Sequence, residues 1–359
     1  MKKVIISVTN DLTTDQRVHK VAGSLICAGF SVLLVGAVKR KTIRLDKRKY
    51  QFFRFNMFFK KSFLFYFEYN VRLFFFLLIN KSDILLSNDL DTLCANYFVS
   101  RLKKIKLVYD SHELFSELPE LLGRKFVKNI WLIMENFFLK RIDSSYTVSA
   151  SIANYYKEKY GIDMSVISNF PNAVSLKSHY DNSNFVKKII YQGAVNRDRG
   201  IELMIDSMKY IDAQLYIVGG GDILDEIINY VAELKLNDKV FVLGRIPFPD
   251  LFQITKEAHL GLSFERDTCL AYRYSLPNKI FDYINAEIPI LVSDLPEFKN
   301  VIQTHNVGMI LKSRHVRDVA EQINLMLSQP KSNWYNALLN AKKQYCWENQ
   351  EKKLLTFFS

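Results

Sequence analysis

The chain begins with a short apolar run, residues 2–8, then polar residues, then a stretch at 16–30 whose apolar positions recur at helical spacing as far as Gly29. Apolar runs and helical stretches alternate from there. Residues 31–38, 83–89, 106–113 and 144–150 predict strands, and residues 129–142 predict a long apolar helix. Residues 167–184 are polar and aperiodic, and the alternation then restarts. Strands are expected at 187–195, 214–221, 239–247, 260–267 and 289–294, with helices at 200–211 and 222–235. Continuously apolar strands alternating with helices indicate a parallel sheet covered on both faces. The pattern therefore predicts an α/β chain of two Rossmann-like domains, residues 1–175 and 186–335, linked near 170–186. The last helical stretch, 336–359, is expected to pack back across the first domain. Ligands of such folds bind outside the carboxyl ends of the strands.

Composition is consistent with that reading. A length of 359 residues exceeds one ordinary core and fits two, and 49% hydrophobic residues is a typical globular proportion. Cys27, Cys94, Cys269 and Cys346 are scattered, without the paired spacing of a metal or redox site, as suits reduced thiols in a cytosolic protein. The first residues read as a strand and not as a signal peptide.

Charge changes the picture more. The net charge is +12, yet residues 1–180 carry 28 Lys and Arg against 15 Asp and Glu, while residues 181–359 carry 21 against 22. The first half alone calls for an anionic partner. Residues 39–50 hold seven basic residues and one acid, and residues 52–79 are dense in aromatics punctuated by Arg54, Lys60, Lys61 and Arg72. The longest uninterrupted apolar run there, residues 73–79, is shorter than the roughly 18–20 residues that span a bilayer. Basic residues beside bulky aromatics suit an interfacial segment, so an anionic membrane surface is the expected partner. The bland alternative is a buried, Phe-rich helix and strand beside a solvated basic loop. No recognition motif for nucleic acid accompanies the charge, and no nucleic acid is expected.

Candidate chemistry gathers at the ends of the strands. Gly219, Gly220 and Gly221 follow a strand directly and would let the backbone approach a ligand at the next helix start. They do not form a dinucleotide fingerprint, and the first strand leads into a loop without glycine. Gly193 ends another strand, and Arg197 and Arg199 stand just before the following helix with donor forks suited to phosphate. In "SLPNKIFDYINAEIPI", residues 275–290, Ser275 or Asn278 can cap a helix whose first turn contains Lys279, a cation at the positive end of a dipole. Arg199 and Lys279 would open at one rim and share a diphosphate. In the first half, Asp110, His112 and Glu113 follow a strand, while Asp11, Asp15, Arg17 and His19 lie in or just after the first strand-to-helix loop. His19 reads more simply as a helix-surface histidine. Asp89 and Asp91 form a D-x-D pair of the kind that can hold a metal, but they read as loop and N-cap residues, and no metal is expected.

Residues 9–25, 108–120, 191–208, 218–222, 240–247 and 274–297 together resemble, in order and spacing, the glycosyltransferases of family 4, retaining enzymes of the GT-B fold. The resemblance covers nearly the whole length. It implies two Rossmann-like parallel-sheet domains facing a central cleft, a nucleotide-sugar donor on the second and an acceptor on the first. Arg199 matches the family's phosphate-binding lysine, and Lys279 lies in the segment that precedes the donor-binding helix. Gly219–Gly221, with Leu243, Gly244 and Arg245, match loops near the nucleoside, and His112 matches a histidine near the transferred sugar. Retention by front-face attack, with the leaving diphosphate taking the acceptor's proton, is implied, and no metal cofactor. Three positions depart from the family. The family often pairs two glutamates eight positions apart; here Asp282 matches the second and Tyr274 stands at the first, with Glu265 upstream at a different spacing. Ala194 replaces an arginine that Arg197 could supply from a shifted position. Glu287 stands where glycine is usual.

The expected function is a metal-independent retaining glycosyltransferase, peripheral at the cytoplasmic face of the cell membrane. It would transfer a sugar from a UDP- or GDP-linked donor to a glycan or lipid-linked glycan acceptor in surface polysaccharide biosynthesis. The alternative is a non-catalytic nucleotide-sugar-binding subunit of a glycosyltransferase complex, motivated by the missing glutamate pair and Glu287. A third reading, a basic membrane scaffold, would bind lipid without nucleotide.

Overall fold

The computed structural model describes residues 1–13, 15–38, 47–173 and 186–359. Most of the basic run expected at 39–50, and most of the linker expected near 170–186, lie outside the described residues. The chain forms two compact units, residues 1–169 with 350–359, and residues 170–349.

The first unit is built on strands β1 (Lys3–Ser7), β2 (Ser31–Ala37), β3 (Gln51–Phe55), β4 (Ile84–Asn88), β5 (Lys106–Ser111), β6 (Ser145–Thr147) and β7 (Ser165–Val166). They form one parallel sheet in the order β3-β2-β1-β4-β5-β6-β7. Helices α1 (Gln16–Cys27), α2 (Ser62–Ile79), α3 (Leu90–Lys103), α4 (Lys125–Leu139) and α5 (Ala150–Tyr160) connect the strands. Val4, Ile5, Ile6, Leu85 and Leu86 are fully buried, as central strands covered on both faces require. The order reverses between β1 and β4, and a crevice for ligands opens at the carboxyl ends beside such a reversal.

The Phe-rich segment combines both sequence readings. It forms edge strand β3 and the 18-residue helix α2, whose Phe65, Tyr69, Leu73 and Leu77 are buried while Phe63, Phe67 and Phe75 are exposed. Run length had argued against a bilayer span. As a folded helix, however, α2 is long and apolar enough to cross one by length and composition, because Glu68 and Arg72 interrupt the run without ending the helix.

The second unit carries β8 (Lys188–Gln192), β9 (Gln214–Val218), β10 (Val240–Gly244), β11 (Leu260–Ser263), β12 (Ile290–Val292) and β13 (Gly308–Ile310). They are again parallel, in the order β10-β9-β8-β11-β12-β13. Its helices are α6 (Ile201–Ser207), α7 (Leu224–Glu233), α8 (Phe248–Glu257), α9 (Leu270–Arg273), α10 (Asn278–Asn285), α11 (Pro296–His305), α12 (Val316–Ser328) and α13 (Ser332–Gln344), and α14 (Trp347–Leu355) starts in it and continues into the first unit. Here the strand order reverses between β8 and β11.

The return of the chain to the first unit is shorter than the 336–359 expected. Trp334, Leu338 and Ala341 of α13 are buried in the second unit's core, and only residues 350–359 belong to the first. There Phe358 is fully buried and meets Phe30 at 6.2 Å, while Phe357 meets Tyr146 at 5.1 Å.

Candidate active site

In the second unit, the strands flanking the reversal deliver the site. Just beyond β11 stands Glu265, fully buried. Lys279, in the first turn of α10 and 6% exposed, donates to Glu265 Oε1 at 2.8 Å. Arg199, in the loop after β8, reaches the same oxygen at 3.5 Å, and Ser263 Oγ donates to the other at 2.7 Å. Each cation also lies over an aromatic face: Lys279 Nζ is 4.1 Å from the Tyr191 ring centre, and the Arg199 guanidinium 4.5 Å from that of Tyr272. Burial pushes the Lys279 pKa down against the pull of Glu265. Burial also pushes the Glu265 carboxyl up, but Lys279 and Arg199 outweigh it and hold it below the usual range. The anion that the lysine at this helix start seemed to await is therefore partly the protein's own. Two cations thus converge on one buried carboxylate at the carboxyl ends of the strands.

The glycines serve this arrangement differently from the expectation. A Cβ at Gly219 (φ 150°) would collide with the Gly193 carbonyl, so that glycine lets two loops of the protein meet. At Gly193 (φ 130°) a Cβ would stand 3.2 Å from Lys279 Cε, so its absence makes room for the lysine stem. Arg245 lies against Gly220, with Nε 2.6 Å from where a Cβ would be; Gly221 closes on the Val195 backbone, and Gly244 takes a positive φ of 67° at the end of β10.

In the first unit the corresponding crevice holds His112, just past β5. Its Nε2 is 3.1 Å from Asp110 Oδ2 and its Nδ1 3.4 Å from Asp89 Oδ2, while its backbone N–H donates to Asp89 Oδ1 at 2.8 Å. Asp110, fully buried, also takes a two-pronged contact from Arg17, at 2.7 and 3.1 Å. Burial alone would raise the Asp110 carboxyl, but Arg17 and His112 hold it at about 2. Burial likewise disfavours a charged His112, yet Asp110 and Asp89 raise its pKa to about 9, so at neutral pH it is an imidazolium with both ring nitrogens directed at carboxylates. Asp89 is pushed up to about 7 by burial, opposed by His112. Its backbone (φ 56°, ψ 170°) lies in a region normally open only to glycine, a strain that the two bonds to His112 help to hold.

Profiles of two families together span most of the chain: Glycosyltransferase Family 4 over residues 16–178, and Glycosyl transferases group 1 over residues 181–344. The chain belongs to the group 1, family 4 glycosyltransferases. Solved structures agree on the fold. Sucrose-phosphate synthase from Thermosynechococcus elongatus superposes with a TM-score of 0.82 at 14% identity, covering 100% of this chain and 98% of that one. WaaG, a glycosyltransferase involved in lipopolysaccharide biosynthesis, gives 0.75 at 12% identity over 99% of both chains. HepE of Anabaena in complex with UDP-glucose gives 0.74 at 12% identity, over 100% of this chain and 99% of that one. The transferase therefore has the GT-B fold. A chitobiosyldiphosphodolichol beta-mannosyltransferase of Yarrowia lipolytica is 24% identical over 142 residues, 37% of this chain and only 30% of that relative's length.

Within the transferase, several residues singled out in the sequence have other tasks. Arg197 pairs in solvent with Glu226 at 3.0 Å and does not join Arg199. Ser275 donates back to the Tyr272 carbonyl at 2.8 Å, and no side-chain hydrogen bond caps α10, whose N-cap is Pro277 and whose first residue is Asn278. Asp282 accepts from Gln192 at 2.9 Å, tying α10 to β8. Glu287 takes a positive φ of 60° and turns to Lys342 of α13 at 2.8 Å, so the departure from glycine fastens α10 to α13. Asp15 caps α1 through the Val18 N–H at 3.0 Å, and Asp11 accepts from the Thr13 N–H at 3.2 Å. His19 bonds the Tyr50 hydroxyl at 2.7 Å, and Glu113 accepts from Ser111 through its backbone carbonyl at 3.1 Å. Asp89, read as an N-cap, occupies that position of α3 but gives its carboxylate to His112. Asp91 accepts from Thr9, and among the described residues no group of three His, Cys, Asp or Glu could hold a metal ion. Sequence reasoning undervalued Glu265, although an acid directly after the buried run 260–264 had to find cations.

Proposed function

We propose that the transferase moves a sugar, with retention and without a metal, from a UDP- or GDP-linked donor on its second unit to a lipid-linked glycan in surface polysaccharide synthesis at the inner face of a cell membrane. The observation that carries the donor reading is the Glu265–Lys279–Arg199 cluster at the strand reversal, in which two cations converge on one buried carboxylate oxygen. HepE is described with UDP-glucose and WaaG with lipopolysaccharide biosynthesis, which supports the donor class and the setting by analogy. The bond from anomeric carbon to diphosphate breaks with its electrons going to the diphosphate, whose growing charge Lys279 and Arg199 stabilise. The acceptor hydroxyl bonds to that carbon, and its proton passes to the departing diphosphate. His112, held as a cation, matches by resemblance the family's histidine near the transferred sugar. The non-catalytic reading loses its motive, because Glu265 supplies a carboxylate at the site and Glu287 is committed to Lys342.

A thermal-shift screen over nucleoside diphosphates and their sugars identifies the donor. Transfer to a lipid-linked acceptor should persist in EDTA and fall at least about 100-fold in His112→Ala or Arg199→Ala. Full turnover by His112→Ala would remove that residue from the mechanism. The product's anomeric configuration, read by proton NMR against that of the donor, decides retention, and the Yarrowia relative's beta-linked product makes inversion the competing outcome.

A further inference from the structure

The membrane-surface reading above rests on the Phe-rich segment of residues 52–79, and the structure shows what surface its helix α2 builds with its neighbours. From Phe63, every fourth residue of α2 (Phe63, Phe67, Val71, Phe75, Ile79) is apolar and 40–82% exposed, whereas Phe65, Tyr69, Leu73 and Leu77 are buried. A folded domain gains nothing in water from an unbroken apolar ridge on its outer surface. The neighbouring helices extend it: Phe98 and Leu102 of α3 are 45% and 65% exposed, and Phe126 and Ile133 of α4 are 79% and 70% exposed.

All three helices are crossovers that advance the same way along the sheet, from β3 to β4, β4 to β5 and β5 to β6, and right-handed crossovers place them on one face. They are also joined directly. Lys103 Nζ donates to the Leu77 and Asn80 carbonyls at 2.6 and 2.8 Å, Tyr97 meets Phe138 at 5.2 Å, and Tyr66 meets Trp131 at 5.4 Å. The chain can therefore lay α2 on a bilayer without threading it through. Asn70 donates to the Asp91 carbonyl at 2.7 Å, and the Tyr69 hydroxyl bonds the Val8 carbonyl, which fixes the inner side of α2 to the sheet and to α3.

Charge identifies the occupant. The acids among the described residues of these three helices are Glu68, Asp91 and Glu135, and each accepts hydrogen bonds within the unit. Lys60, Lys61, Lys104, Arg124, Lys125 and Lys140 are exposed around the ridge. Beside Leu102 a pocket of about 280 Å³ is lined by Arg101, Lys104, Lys106 and Arg141, with Asp143 as its acid. A second copy of the chain docking by two-fold symmetry would bring this predominantly basic rim against itself.

We propose that the outer face of α2, α3 and α4 docks on an anionic bilayer, with the aromatic ridge among the headgroups and the Arg101–Lys104–Arg141 pocket on their phosphates. This deepens the membrane reading and is independent of the donor site. The test is flotation of the full chain with phosphatidylcholine vesicles, with and without one third phosphatidylglycerol. Wild type should bind the anionic vesicles at least about tenfold better, and less so as salt rises. Phe67→Glu with Phe75→Glu should lose about tenfold or more on both vesicle types, and Lys61→Ala with Lys104→Ala should lose chiefly the anionic preference. If the ridge variant misfolds, Ile133→Glu on α4 replaces it. Wild-type binding by the ridge variants overturns the proposal, as does a dimer of the wild type that the ridge variants dissolve without any vesicle binding by either. The nucleotide thermal shift, run on the same samples, separates the two readings: its loss in wild type rejects the donor site alone, and its persistence with failed flotation rejects the docking face alone.

Discussion

The two rim clusters stand at the same topological place, the carboxyl ends beside a strand-order reversal, and they balance charge in opposite ways. In the first unit Arg17 and a protonated His112 face Asp110 and Asp89, so the cluster closes on itself. In the second, two cations, Lys279 and Arg199, share the single carboxylate of Glu265. The chain's charge runs the other way, with the excess in residues 1–180. Net charge therefore does not locate an anion site. What matters is how the buried charges are arranged. Part of the first unit's surplus lies exposed on and beside the outer helices, where it can act on a surface, and the second unit's two converging cations form the proposed diphosphate site.

The comparison breaks most visibly at Glu265. Glu265→Ala takes away the carboxylate that Lys279 and Arg199 both approach, and removing one partner of a buried pair costs about 3–5 kcal/mol. The urea midpoint should fall accordingly, and added nucleoside diphosphate should restore more stability to this variant than to wild type, since the ligand replaces the lost anion. Equal restoration would mean that the Lys279–Arg199 pair of cations is not the binding element. Lys279→Met is milder. It removes one of the two cations on Glu265 and keeps the stem over Tyr191, so nucleoside diphosphate affinity should drop about 10–100-fold by titration calorimetry, the size of one charge-assisted hydrogen bond.

The first cluster is probed by pH. Because His112 has a folded pKa of about 9 against an ordinary 6.5, the stability supplied by its charge is complete below pH 6.5 and is lost as pH rises through about 9. Over that window wild type should lose up to about 3 kcal/mol relative to His112→Gln, measured by chemical unfolding. Asp89→Asn removes one of the two carboxylates, so the ring's NMR titration should move from about 9 toward 6.5 while the Arg17–Asp110 pair stays in place. An unmoved titration would show that Asp110 alone charges the ring and that Asp89 only holds the backbone.

Much of this was legible in the chain, and the limits have physical causes. Period and continuity of apolar runs revealed the parallel sheets, because a strand buried on both faces must be apolar throughout. Short edge strands such as β7, two residues long, have no such signature. Arg199 and His112 were singled out for their places after strands, and Lys279 for its place in the first turn of a helix. Their partners were not, since pairing depends on which strands become neighbours: Asp89 follows β4 and His112 follows β5, 23 positions on, and only the β4–β5 register brings them together. The glycine turn misled for a related reason. A glycine reports a close approach, but the sequence does not say to what, and at Gly219 it is the Gly193 backbone.

Arg197 is the smallest test and the cleanest control. It stands two residues from Arg199 and has the same donor fork, so a sequence argument treats the two alike. Their surroundings differ. Arg197 and its partner Glu226 are 74% and 61% exposed, whereas Glu265, which Arg199 approaches, is fully buried. An exposed pair contributes about 0–1 kcal/mol, because water and salt screen it and two long side chains must be ordered to form it. Arg197→Ala should therefore change nucleotide affinity less than about twofold, while Arg199→Ala, at the buried carboxylate, should weaken it far more. Equal losses from the two would mean that proximity in the loop, and not the shared buried glutamate, selects the residues that meet the diphosphate.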